Sequence, residues 1–294
     1  MKITDIKALE KIANNIRIDI INQVYEANSG HPGGALSSAD ILSVLYFNQM
    51  NINEKEPNSP TRDRFILSKG HCSPALYATL AEKGYFEKEK LNTFRKMGSN
   101  LQGHPDMKNI PGVDMSTGSL GQGLSVAVGM AIASKMDREG CRIYCLLGDG
   151  EIDEGQIWEA SMAASKNKLD NLCVILDNNG LQIDGKIEEV AGLTNIEGKF
   201  ANFGFKVINV DGHNISNLID AFDTAKQTKG VPTIIIAKTI KGKGVSFMEG
   251  KAEWHGKAPK AEEYEKAIEE LKGREWVIWK KKQKLLHVKV MAKS

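Results

Sequence analysis

Short apolar runs alternate along the chain with longer stretches in which apolar residues return every three or four positions. Near the start, Ile6, Leu9, Ile12, Ala13, Ile16, Ile20 and Val24 keep that helical spacing, with no Pro or Gly among them. This predicts a helix over 5–28, closed near Ser29-Gly30 because glycine ends helices well. The same spacing predicts helices over 38–49, 75–83, 87–94, 124–135, 156–166, 195–203, 216–227 and 262–271, the last exposed and mixed in charge. Between them stand short runs rich in branched residues, over 64–68, 143–147, 172–176, 205–210 and 231–237, several of them closed by Gly, Asp or Asn. Such runs read as strands, those over 143–147, 172–176 and 231–237 as buried ones. Strands alternating with helices throughout predict one α/β domain, three-layered, with a mainly parallel central sheet flanked by helices.

The strand ends carry the candidate chemistry. The second run leads into Gly148-Asp149-Gly150, and 27 residues later, Glu151 to Asp177, the third leads into Asn178-Asn179-Gly180. A right-handed crossover between the two strands places Asp149 and Asn179 side by side on one sheet edge, where such sheets bind ligands. Asp149 offers a carboxylate oxygen, Asn179 an amide oxygen, and a loop carbonyl near Leu181 a third. Hard oxygens with water and phosphate completing the shell suit Mg²⁺ or Ca²⁺. Gly150 lets a phosphate approach the backbone. A Gly-Asp-Gly turn alone is common; its spacing from the second turn, between two strands, makes the pair specific.

Other loops repeat a theme. His31 stands in Ser29-Gly30-His31-Pro32-Gly33-Gly34, His71 in Lys69-Gly70-His71-Cys72-Ser73-Pro74, His104 between Gly103 and Pro105, and His255 beside Gly256. Histidines in several Gly/Pro-bounded loops suggest a site assembled on one sheet edge. Thr117-Gly118-Ser119-Leu120-Gly121-Gln122-Gly123 opens a helix, a place for an anion or a flat ring. It lacks the Gly-Lys-Ser/Thr of a P-loop and is not G-x-G-x-x-G, so a plain dinucleotide dehydrogenase is excluded. Lys238 to Gly244 is a basic glycine-rich loop suited to neutralising a phosphate.

Composition narrows this little. The 294 residues are 41% hydrophobic and 26% charged, ordinary for a globular protein, and the net charge of +2 implies no nucleic-acid partner. The four cysteines show no CxxC pairing, and Cys145 and Cys173 lie in apolar runs, so reduced core thiols are expected. Met1 to Asp5 lacks the apolar region of a signal peptide, and no run reaches membrane-spanning length, so a soluble, cytoplasmic protein is expected. Beyond Gly273 seven basic residues face Glu275 alone.

Taken together and in this order, the motifs from Ser29 to Lys257 resemble those of transketolases, enzymes that use thiamine diphosphate to move two-carbon ketol units between sugar phosphates. The resemblance covers the family's first domain only; nothing after Gly256 resembles the second, which grips the aminopyrimidine ring. It therefore implies a diphosphate-binding domain over 1–272, a basic tail over 273–294, and the N-terminal subunit of a split transketolase of the pentose phosphate pathway. A second polypeptide would carry the pyrimidine-binding domain, in an assembly of two copies of each chain. By the resemblance, Asp149, Asn179 and the Leu181 carbonyl hold Mg²⁺, for which Ca²⁺ or Mn²⁺ can substitute. His71, Gly150, Asn179, Lys241 and His255 contact the cofactor's diphosphate end, and Gly118, Ser119 and Leu120 lie against its rings. His31, His71, His104 and His255 face the sugar phosphate substrate as catalytic residues, and Glu154 sits at the subunit interface. Gly34 departs from members that carry a small hydroxyl residue there. Two other readings stay open: a thiamine-dependent synthase condensing pyruvate with an aldose phosphate, and a catalytically idle homologue.

Overall fold

In the computed structural model, which describes residues 2–183, 185–191 and 193–273, the first helix, α1, spans Ile6–Glu26. Asp5 caps it, its carboxylate accepting from the Lys7 N–H at 3.0 Å. The turn beyond is made by Asn28 (φ 45°) together with Gly30 (φ 144°), so glycine does not close the helix alone as expected. The chain re-enters helix at once as α2 (Pro32–Ser37), followed by α3 (Ala39–Val44) and a π-turn over Leu45–Gln49. The sequence pattern leaves 32–34 in a loop. Pro32, however, takes the first helical turn, where its missing N–H costs nothing.

Strand β1 (Arg64–Leu67) is followed by α4 (Ser73–Lys83). The segment expected as a helix over 87–94 is a 3₁₀ coil over Lys88–Thr93, where Leu91 alone is buried, too small an apolar face for a packed α-helix. Then come α5 (Gln122–Asp137), β2 (Ile143–Gly148), α6 (Gly155–Lys166), β3 (Leu172–Asn178), α7 (Ile187–Val190) and α8 (Ile196–Asn202). The series ends with β4 (Lys206–Asp211), α9 (Ile215–Gln227), β5 (Thr233–Lys238) and a last helix, α10, over 261–273. The last helix is not simply exposed: Ala267 and Leu271 are fully buried, and Tyr264 stacks on Tyr25 of α1 at 4.0 Å. The basic tail expected over 273–294 lies outside the described residues except for Gly273.

The five strands form one parallel sheet in the order β1-β2-β3-β5-β4. Side chains alternate across a strand, and both faces are covered except at the outermost strand β4, whose residues are half-buried or exposed. Phe65, Leu67, Tyr144, Leu146, Ile175 and Ile235 join the core shared with α1–α4 and α9. Ile66, Cys145, Leu147, Val174, Leu176 and Ile234 join the opposite core, under α5, α6 and α8. This is the three-layer arrangement expected, and each fully buried branched side chain contributes about 1.5–3 kcal/mol. All four cysteines are free and buried. Among the described residues no helix is long and apolar enough to cross a membrane.

Because every strand runs the same way, the C-terminal ends of β1, β2, β3 and β5 share one edge. Gly148 pairs with Asp177, and Asn178 with Lys238. Helix α5 reaches this edge through Gly123, where an added methyl would lie 2.7 Å from the Ser68 Cα. Gly123→Ala is therefore expected to destabilise the fold by about 1–3 kcal/mol through overpacking, read as a lower urea midpoint. An unchanged midpoint would mean that α5 is free to shift.

Candidate active site

The site begins with a buried ion pair. Lys69, just past β1, and Asp177, near the end of β3, bond directly, and neither side chain is appreciably exposed. The Lys69 ammonium also donates to the Gly34 carbonyl at 2.9 Å. Asp177 further accepts from Ser37 Oγ at 2.6 Å and from Thr239 Oγ1. Burial works against both charges, but each partner outweighs it: Lys69 is held above the usual lysine range and Asp177 below the usual carboxylate range.

Glu151, directly after the Gly-Asp-Gly turn, is a second buried tie. Its carboxylate accepts from Ser68 Oγ at 2.5 Å, from the Gly121 N–H at 2.9 Å and from the Gly148 N–H at 3.0 Å. It fastens the β1 end, the turn before α5 and the β2 end to one another.

These ties frame a cavity of about 250 Å³. Asp149 forms one side. Its carboxylate accepts from the Gly150 N–H at 2.9 Å and from the Gly180 N–H at 2.5 Å, so the two strand-end loops do meet. Burial, then the neighbouring Asp177 charge, push its carboxyl up to about 7 in spite of those bonds. The Leu181 carbonyl accepts from the Lys241 ammonium at 3.3 Å, and Asn179 reaches Asp177 at 3.4 Å. A buried carboxylate so poorly compensated, beside an amide oxygen and a carbonyl already turned to a cation, fits a hard divalent ion. Among the described residues no trio of His, Cys, Asp or Glu side chains is placed to hold a metal. The expected set does not require one, since it uses a single carboxylate.

In the same cavity three imidazoles form a triangle: His31–His71, His71–His255 and His31–His255 have ring centroids 5.1, 5.2 and 5.4 Å apart. His31 stands at the start of α2, His71 in the 3₁₀ turn before α4, and His255 at the end of a short 3₁₀ turn. Burial, then nearby cationic groups, lower His31 and His255 to about 4 and His71 well below its usual value. All three are therefore uncharged near neutrality. Lys241 lies 3.0 Å from His255 Nδ1, and burial lowers its own pKa. The His31 Nδ1 is buried without a partner, an atom a polar ligand would satisfy.

Of the residues expected at the site, His31, His71, Gly118, Leu120, Asp149, Gly150, Asn179, Leu181, Lys241 and His255 line this cavity. Ser119 and His104 do not: both are exposed, although His104 lies against Gly118, where an added methyl would meet its ring at 3.1 Å. Glu154 is exposed at the start of α6. Lys69, Glu151 and Gln182 line the cavity without having been singled out. Each adjoins a residue that was: Lys69 stands two before His71, Glu151 follows Gly150, and Gln182 follows Leu181. The departure at Gly34 has a steric cause, since an added methyl there would lie 2.9 Å from Cys72 Sγ.

A doubly covered parallel sheet whose strand ends present lysines, hard oxygens and uncharged imidazoles to one cavity defines a binding domain for a phosphorylated cofactor. The sequence profile of the transketolase thiamine diphosphate-binding domain matches residues 8–280, and the chain belongs to that family. It is 44% identical over 269 residues to an apulose-4-phosphate transketolase subunit of Phocaeicola vulgatus, covering 92% of this chain and 95% of that one. It is 47% identical over 263 residues to the 6-deoxy-6-sulfo-D-fructose transketolase subunit SqwG of a Clostridium species, covering 90% and 96%. Among solved structures, the transketolase of Campylobacter jejuni superposes with a TM-score of 0.86 at 38% identity, covering 91% of this chain but 43% of that one. The chain thus spans less than half of that transketolase and nearly all of the two subunits.

Two outcomes are expected. Lys69→Ala strands Asp177 as a buried, unpaired charge and should cost about 3–5 kcal/mol in urea unfolding; a loss under 1 kcal/mol would mean that water reaches Asp177. In an NMR titration, the ring signals of His31 and His255 should stay flat from pH 8 to 5 and move near pH 4. The unfolded chain takes up these protons first, near pH 6.5, so these two residues weaken the fold as pH falls from 6.5 to 4 and have no effect above it. An inflection near 6.5 would show that solvent reaches both rings.

Proposed function

We propose that this chain is the diphosphate-binding subunit of a two-subunit ketol transferase that uses thiamine diphosphate and Mg²⁺ to pass a two-carbon unit from a ketose to an aldose phosphate. The observation that carries this reading is the meeting of Asp149, Asn179 and the Leu181 carbonyl with Lys241 and three uncharged imidazoles at one cavity. Asp149, Asn179 and the Leu181 carbonyl hold the metal. Gly150, His71, Lys241 and His255 bind the diphosphate, and Gly118, Ser119 and Leu120 take the rings. When bound, thiamine diphosphate supplies the electron sink for breaking a carbon–carbon bond beside a ketone. His31, His71 and His255, being neutral, can both donate to and accept from sugar hydroxyls and move protons at the substrate oxygens. His104 joins them from the rim. The names of the two similar subunits support a partner polypeptide and a ketose with an anionic end. Two copies of each chain, meeting around Glu154, complete the proposed assembly.

The test mixes this chain with its candidate partner and follows ketol transfer to ribose 5-phosphate from xylulose 5-phosphate, apulose 4-phosphate and 6-deoxy-6-sulfofructose. Turnover of at least one donor only in the mixture, and only with thiamine diphosphate and Mg²⁺, is the expected result. Asp149→Ala should abolish Mg²⁺-dependent cofactor binding with the far-UV circular dichroism unchanged. Tight binding by that variant would overturn the metal assignment, and pyruvate consumption without ketose cleavage would overturn the reaction class.

A further inference from the structure

Lys241 reaches the cavity on a loop that follows β5, and the loop's frame is set from outside the cavity. Arg17 of α1 grips Asp40 of α3 with two bonds, at 3.2 and 2.5 Å. The carboxylate oxygen that takes the shorter of these bonds, Asp40 Oδ2, also lies 2.7 Å from His213 Nδ1. The far nitrogen, His213 Nε2, accepts from the Ile240 N–H at 2.9 Å. Since Nε2 accepts, the ring proton of a neutral His213 sits on Nδ1 and is donated to Asp40. The donors therefore converge on Asp40: Arg17 donates to it directly, and the Ile240 N–H donates to His213, which in turn donates to it. This series of bonds ends one residue before Lys241.

The surrounding contacts make that last bond consequential. Thr239 is fixed through its N–H to the Asn178 carbonyl at 3.0 Å, and Gly242 through its N–H to the Gly33 carbonyl at 2.9 Å. Between these two anchors, the Ile240 N–H to His213 is the side-chain bond on the Thr239–Ile240 peptide, while the Ile240 and Lys241 carbonyls accept from the Lys243 and Gly250 N–H groups at 3.1 and 2.9 Å. The Ile240 side chain is exposed and does not hold the loop by burial. The Arg17 stem also packs on the loop, 3.0 Å from where a methyl on Gly244 would sit. His213 itself belongs to the turn after β4, the outermost strand beside β5, and does not line the cavity.

We infer that His213 is a positioning residue: held by Arg17 and Asp40, it fixes the Ile240 amide and so aims the Lys241 ammonium into the cavity. A diphosphate bound there feels His213 only through Lys241. This rests on the cofactor reading above for its effect on binding, but not for its effect on the loop.

The experiment has two readouts on the full chain. The first is hydrogen exchange, followed by mass spectrometry, with His213→Ala and His213→Gln, since the Gln Oε1 can stand in for Nε2 as acceptor. His213→Ala should speed exchange in a peptide spanning 239–245 by tenfold or more, leave the peptides of β2 and β3 unchanged, and be largely rescued in His213→Gln. The second is the Kd for thiamine diphosphate with Mg²⁺, by calorimetry on the chain mixed with its candidate partner, in a cycle with Lys241→Ala. His213→Ala should weaken binding about tenfold in the native background and less than twofold when Lys241 is already Ala. Equal losses in both backgrounds, or faster exchange spread evenly over the sheet, would make His213 a general structural residue and overturn the inference. So would a loop as protected in His213→Ala as in the native chain. A native mixture of the chain and its candidate partner that binds no thiamine diphosphate would count against the function proposed above, and the exchange data alone would then decide the role of His213.

Discussion

The Lys69–Asp177 pair is the constraint on which the other features of the cavity rest. Two charges out of contact with water are costly unless each is fully met. Here each is. Lys69 is shared between Asp177 and the Gly34 carbonyl, and Asp177 between Lys69, Ser37 and Thr239. To satisfy those demands the β1 end, α2, the β3 end and the loop after β5 must arrive at one place. The pair acts as a jig: any slip in register between strands leaves a buried charge unmatched, a far larger penalty than losing one apolar contact. Glu151 applies the same logic to the β1 end, the β2 end and the turn opening α5.

With Asp177 fully compensated, its charge becomes a fixed feature against which neighbours are tuned. Asp149 sits next to it and is pushed up to about 7, because the Gly150 and Gly180 N–H groups offset only part of its burial. Lys241 and the three imidazoles are pushed the other way, toward their neutral forms. The cavity thus has buried carboxylate oxygen short of positive charge, together with the Lys241 ammonium and three uncharged imidazoles. A cation with an attached phosphate supplies what both sets of groups lack, and that makes these perturbed groups candidates for function instead of incidental core polarity.

Much of the fold was legible because its signals are local. β2 and β3 are continuous buried runs closed by Gly-Asp-Gly and Asn-Asn-Gly, and the fixed hand of the crossover brings their ends together. What escaped was non-local. Lys69 and Asp177 are 108 positions apart, and His213 and Asp40 are 173 apart, so no periodicity links them. The helix at Pro32 was hidden for a different reason. Gly33 and Gly34 are poor helix formers, and the segment becomes helical because packing demands it: a methyl on Gly33 would lie 2.8 Å from the Trp254 carbonyl. His104 and Ser119 read like the other loop residues in sequence, but nothing local tells a cavity wall from its rim.

The rim bears on how the site is completed. Ile183 lines the cavity while 65% exposed, and Ser119, next to the lining residue Gly118, and His104, whose ring lies against Gly118, are exposed. An apolar side chain left in water beside buried, perturbed charges is out of keeping with the largely buried floor of this cavity. Carbanion chemistry at a ketone also gains from excluding water, which strengthens every electrostatic contact inside. Both considerations argue for a further protein surface over this rim. That requirement agrees with the split-subunit reading, in which the chain supplies the charged floor of the site and a partner supplies the cover.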